Sequence, residues 1–145
     1  MHNWPRVLLC GLVTGAVWTF LSVTLLALVG SEFLAELPGS RLATPGSSAH
    51  LYLFMSNFVA GVWVLWLYAI FRLARGPGFH TAAVAALGWW VIASLQSAKW
   101  GVLVSVSLPE SLALLAATLP AMVLATAAGA WCFERTGNAS ALVST

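Results

Sequence analysis

The chain has 145 residues, of which 61% are hydrophobic and 7% charged, with a net charge of +2 and no aspartate. A soluble domain is roughly 25% charged, so this composition excludes a globule clothed by water, and the net charge of +2 does not indicate nucleic-acid binding. Four apolar runs of 18 residues or more predict an all-α architecture: a bundle of four transmembrane helices forming one integral membrane domain over residues 1–145.

The first run is Val7–Val29. It is longer than the roughly 7–15 apolar residues of a signal peptide, and no small-residue cleavage site follows it, so it is read as a span. Gly11 and Gly15 form a GxxxG pair, a site of close helix approach that serves either the bundle or another chain. The loop of residues 30–50 is rich in Gly, Ser and Pro. Its Ser31–Leu37 segment has the signals of a short interfacial helix, capped by Ser31 and stopped by Pro38 and Gly39.

The second run, Leu51–Phe71, carries Asn57 in its outer half and Trp63 and Trp66 on one face of its inner half. Arg72, Arg75 and a Gly76-Pro77-Gly78 stop lie in the connecting loop of residues 72–80, and Thr81 is expected to cap the next helix. Arg6, Arg72, Arg75 and Arg135 all flank the same ends of the four runs. The 30–50 loop has Arg41 against Glu32 and Glu36. The arginine bias therefore predicts cytoplasmic N and C termini and an outer 30–50 loop. Cys10 and Cys132 fall near the cytoplasmic ends of their spans, where thiols stay reduced, so no disulfide between them is expected and both are read as apolar filler. Asn138-Ala139-Ser140 matches a glycosylation acceptor only by chance on that side.

The third run is Thr81–Ser107 and the fourth Pro109–Phe133, joined by a very short turn that makes them antiparallel neighbours. Small residues recur every fourth position on both: Ala93, Ser97, Gly101 and Ser105 on one, Ala113, Ala117, Ala121, Ala125 and Gly129 on the other. Folding the hairpin sets Gly101 near Ala117, Ser97 near Ala121, Ala93 near Ala125, and Trp89 opposite Gly129. Ser107 and Glu110 match a capping box with Pro109 in the first turn. Pro120 removes a hydrogen bond within the fourth span and is expected to bend it.

Trp66-Leu67-Tyr68-Ala69, Phe71-Arg72, Gly76-Pro77-Gly78, Thr81-Ala82 and the late Gly129-Ala130-Trp131 together resemble a pattern in small uncharacterised four-span bacterial membrane proteins. That resemblance implies a bacterial inner membrane and a bundle of four helices. The group has no assigned activity, so it implies no site residue.

Asn57 and Lys99 lie at a similar depth, roughly 10–12 Å below the outer surface at about 1.5 Å per residue, with Gln96 a turn deeper. A charge in hydrocarbon costs about 3 kcal/mol on insertion scales, so Lys99 needs a destination. At about 100° per residue it sits some 160° around the helix from Ser97, away from the fourth span. Lipid phosphate, Asn57, and a ligand or partner are the destinations left open. Asn57, Gln96 and Lys99 are accordingly the candidate ligand or partner contacts. Trp63, Trp66, Trp89 and Trp90 are the candidate contacts for a lipid or pigment.

No catalytic constellation, metal-ligand spacing, phosphate loop or nucleophile elbow is present in the sequence. No cofactor is expected, although a single axial pigment or haem contact from His50 or His80 stays open. The expectation is a non-catalytic accessory or scaffold subunit docking in the bilayer against another membrane protein or a second copy of itself. The alternative is a minimal carrier or binder of a lipophilic or anionic small molecule.

Overall fold

The computed structural model describes residues 4–29, 48–104 and 108–142, with side chains over 4–25, 51–96 except 53, and 116–137 except 117. The expected interfacial helix at Ser31–Leu37, the Ser107–Glu110 cap and the side chain of Lys99 lie outside the described residues. Four helices account for the described residues: α1 (Trp4–Val29), α2 (Ser48–Arg75), α3 (Phe79–Val104) and α4 (Leu108–Leu142). Among the described residues, three of them are long and apolar enough to cross a membrane, over Trp4–Leu25, Phe54–Arg75 and Phe79–Gln96. Helix α4 runs unbroken through Pro120 and continues beyond the expected end at Phe133.

The helices close into a ring in chain order. Helix α1 lies between α2 and α4, and α3 completes the circuit by touching α2 and α4. Across the ring α2 reaches α4, whereas α1 and α3 do not meet among the described residues. Neighbouring helices run antiparallel, so the start of α1, the end of α2, the start of α3 and the end of α4 gather at one end.

Glycine sets the closest seam. In a bilayer there is no hydrophobic force between helices, and association depends on dispersion at short range. A methyl added to Gly11 would stand 2.6 Å from the Val62 Cα, and one on Gly15 2.7 Å from the Phe58 Cα. From the other side, a methyl on Gly61 would stand 2.5 Å from both the Gly11 carbonyl oxygen and the Gly15 nitrogen. The GxxxG pair therefore serves this bundle, interlocked with a third glycine on α2.

The turn between α2 and α3 is built as its residues dictate. The Gly76 N–H donates to the Arg72 carbonyl at 2.9 Å, and Gly76 adopts φ +80°, a left-handed stop that only glycine takes at no cost. Helix α3 then begins at Phe79, two residues earlier than expected. Thr81 is not its cap: the Thr81 hydroxyl donates to the Gly76 carbonyl at 2.8 Å, tying the helix back to the turn.

The core lies toward the gathered end. Val7 and Cys10 of α1, Leu65, Tyr68 and Ala69 of α2, Ala82 and Ala85 of α3, and Ala130 and Phe133 of α4 form one buried cluster. A smaller cluster of Val64, Ala86 and Met122 sits beside it, covered by Trp18, Trp89 and Val123.

The α3–α4 hairpin is antiparallel as expected, but its alignment differs. Trp90 Nε1 donates to Thr118 Oγ1 at 3.3 Å, whereas the expected pairing sets Trp90 beside Ala128. Gly129 does not receive Trp89. It faces α1, where an added methyl would strike the Thr14 hydroxyl and lie 3.1 Å from the Cys10 carbonyl. The physical reason is that the α1–α4 seam needs the gap more than the hairpin does. Thr14 is fully buried there, with its hydroxyl donated to the Cys10 carbonyl at 3.1 Å.

Candidate functional site

Chemistry-bearing side chains concentrate where the four helix ends gather. Glu134 of α4 is the acceptor at the centre. Arg72 Nε lies 2.8 Å from its Oε1, and the Tyr68 hydroxyl donates to the same oxygen at 2.9 Å. The Gly78 N–H donates in turn to the Tyr68 oxygen at 3.4 Å. One carboxylate thus links α2, α4 and the start of the α3 turn. The arrangement follows from the fold: Tyr68 and Arg72 are four residues apart on one face of α2.

Phe133 is the apolar floor of this cluster. The Arg6 guanidinium carbon lies 4.1 Å from its ring centroid and that of Arg72 5.7 Å away, cation–π distances in both cases. Tyr68 meets the same ring edge to face, with centroids 6.2 Å apart. Arg6 Nε donates to Thr136 Oγ1 at 2.9 Å, while its buried Nη2 has no hydrogen-bond partner. Gly137 leaves room for the guanidinium, which would have to shift to accept a side chain there. Both guanidinium groups lie over one ring but only Arg72 pairs with Glu134, so this cluster of two cations and one anion keeps a net positive charge.

One helical turn inside, Cys10 Sγ and Cys132 Sγ lie 2.8 Å apart, both as free thiols. Cys10 is fully buried and Cys132 half-buried. The Thr136 hydroxyl stands 3.9 Å from Cys10 Sγ and is also within hydrogen-bond reach of the Cys132 and Phe133 carbonyls. The two cysteines expected as apolar filler are free thiols in direct contact. They meet across the α1–α4 seam.

The candidates taken from the sequence are dispersed. Asn57 Nδ2 donates to Thr19 Oγ1 of α1 at 3.2 Å, and Thr19 donates to the Gly15 carbonyl at 2.8 Å. Asn57 is thus a cross-link in the α1–α2 seam. Gln96 is exposed on the outer side of α3, so these two do not line a common site. Lys99 belongs to α3 by its backbone, as do Ser97 and Gly101, and Ala117 belongs to α4; their side chains lie outside the described residues. On the fourth helix Ala125 and Gly129 are buried and Ala121 half-buried.

The tryptophans divide as well. Trp63 and Trp66 form an edge-to-face pair with centroids 5.2 Å apart. Trp89 instead covers the Val64–Ala86–Met122 cluster with Trp18, and Trp90 is engaged with Thr118. They do not form a single aromatic pocket among the described residues, because α3 directs its two tryptophans to different neighbours. His80 is exposed at the start of α3. Among the described residues, no group of three His, Cys, Asp or Glu side chains is gathered as a metal site.

The outer face of α3 has a different character. Leu87, Gly88, Val91, Ile92, Leu95 and Gln96 are all exposed and form one continuous stripe at helical spacing. The helical glycines Gly11, Gly15, Gly61, Gly129 and Gly137 each stand against a neighbouring helix or side chain. Among the described residues, Gly88 has nothing within 4 Å of where its Cβ would be.

No protein-family model matches the chain, and no curated protein or solved structure matches it.

Proposed function

We propose that the protein is a small non-catalytic accessory or scaffold subunit that docks, within a bacterial inner membrane, against a larger membrane-protein assembly. In this reading all four helices span the bilayer with both termini in the cytoplasm. The meeting of Arg6, Arg72 and Glu134 at one end supports that orientation, because the arginines that bias topology lie together there.

The observation that carries the docking reading is the unused glycine on α3. Glycine in a helix interior costs about 1 kcal/mol relative to alanine, and at Gly11, Gly15, Gly61 and Gly129 that cost is offset by close helix approach. Among the described residues, Gly88 meets nothing that would offset it. A second helix laid along Leu87, Val91, Ile92 and Leu95 would use the gap. It would also offer hydrogen bonds to the exposed Gln96 amide, which is costly against hydrocarbon. The carrier alternative drew on Asn57, Gln96 and Lys99 acting together, and Asn57 is already engaged by Thr19.

Site-specific photocrosslinking in intact membranes tests the proposal. A photoreactive residue at Ile92 is expected to trap one defined, larger membrane protein, and Gly88→Ile is expected to abolish the adduct. The same probe at Phe20, exposed on α1, is the control and should give lipid adducts only. Identical patterns at both positions would overturn the docking face. An adduct of twice the chain mass would replace the accessory role with self-association.

A further inference from the structure

We infer that Cys10 and Cys132 are a dithiol that closes reversibly to a disulfide joining α1 to α4, with a small disulfide of the glutathione class as oxidant. The two sulfurs stand 2.8 Å apart, so bond formation at about 2.05 Å asks for less than 1 Å of closure. A disulfide also requires its two backbones to lie close, with Cα atoms typically about 5.5–6 Å apart. The seam is built for that approach. Gly129, one turn from Cys132, lies against Thr14 and the Cys10 carbonyl, and Gly137 lies against Arg6. The backbones of α1 and α4 are thus in close contact one turn from Cys132, at Gly129. Buried filler cysteines touch hydrocarbon; these touch each other.

The unequal burial of the pair assigns the order of events. Cys132, the half-buried partner, loses its proton, and its thiolate attacks one sulfur of the small disulfide. That S–S bond breaks and the first small thiolate leaves. Cys10 then loses its proton and attacks Cys132 Sγ, breaking the mixed disulfide and releasing the second small thiolate. The two departing thiolates take up the two protons. The protein is oxidised by two electrons and the small disulfide reduced by two. Because α1 and α4 are the first and last helices, the new bond closes the four-helix ring covalently beside the Arg6–Thr136 contact.

The full-length protein in detergent micelles, exposed to oxidised glutathione and then unfolded in SDS with a polymer-bearing maleimide, tests this. Wild type is expected to lose two hydrogens by mass, to stay monomeric and to take up no maleimide. Dithiothreitol should restore two labels per chain. Cys10→Ser should stop at a single stable glutathione adduct on Cys132, and Cys132→Ser should react far more slowly, since its remaining thiol is buried. Two glutathione adducts per wild-type chain, interchain dimers, or two thiols still free after oxidation would each overturn the inference. Tight uptake of copper(I) that protects both thiols from the oxidant would overturn it in favour of a dithiolate metal site.

Discussion

Gly61→Ala is the most searching perturbation of the bundle, because the same substitution elsewhere should act with the opposite sign. The new methyl would stand 2.5 Å from two backbone atoms and 2.8 Å from the Gly15 Cα. Ordinary carbon contacts begin near 3.5 Å, and backbone cannot swing aside as a side chain can. Helices α1 and α2 must therefore part by about 1 Å. A gap of that size forfeits roughly a quarter to a half of each contact's dispersion energy. If the seam holds on the order of forty atom pairs at about 0.15 kcal/mol each, the loss is about 1.5–3 kcal/mol. Alanine's better helix propensity returns about 1 kcal/mol, leaving a net destabilisation of about 0.5–2 kcal/mol. Gly88→Ala meets nothing, so it should keep the propensity gain alone and be as stable as wild type or up to about 1 kcal/mol more so. Reversible unfolding by SDS in mixed micelles, followed by circular dichroism, measures both. Equal stability of Gly61→Ala and Gly88→Ala would refute the interlocked three-glycine seam.

The Arg72–Glu134 pair should contribute little alone, since its side chains are 34% and 28% exposed; a double-mutant cycle with Arg72→Met and Glu134→Gln is expected to give a coupling of about 0.5–1 kcal/mol that shrinks as salt rises. Gly129→Ala should destabilise by about 1–3 kcal/mol through its collision with Thr14, and adding Thr14→Ala should recover most of that loss; SDS unfolding of the two variants checks both halves.

Much of the helical plan was legible because runs of 18 or more apolar residues admit few alternatives to spans. The Gly76-Pro77-Gly78 stop and the Gly11/Gly15 approach likewise depend on local chemistry that a sequence displays directly. Hairpin alignment was not legible, for a definite reason. Small residues spaced every four positions make a self-similar ladder, and sliding one helix by one or two turns preserves nearly every small-to-small pairing. Trp90 and Thr118 select an alignment that the ladder itself does not. The polar cluster was hidden differently. Arg6, Tyr68, Arg72, Glu134 and Thr136 come from three helices, and only the ring order brings them together. Their signal was one glutamate among arginines at matching depths, which read as topology until the contacts were known. The cysteines carried a similar signal, each near the same end of its span.

The bundle divides its adhesive chemistry unevenly, and that unevenness bears on its role. Helix α1 is held to α2 by three glycines and the Asn57–Thr19 bond, and to α4 by Gly129, the thiol pair and the Arg6–Thr136 contact. Helix α3 has no described contact with α1 and leaves one side wholly exposed. In hydrocarbon, exposed leucine and valine need no explanation, since lipid solvates them as well as protein does. A bare glycine and an amide on that same side are different, because lipid neither fills the one nor bonds the other. Two helix pairs drawn tight around α1 make a rigid frame. The side facing away from that frame is therefore where a partner could be held without disturbing the bundle, and tightening the α1–α4 seam through its cysteines would stiffen the frame without touching the docking face.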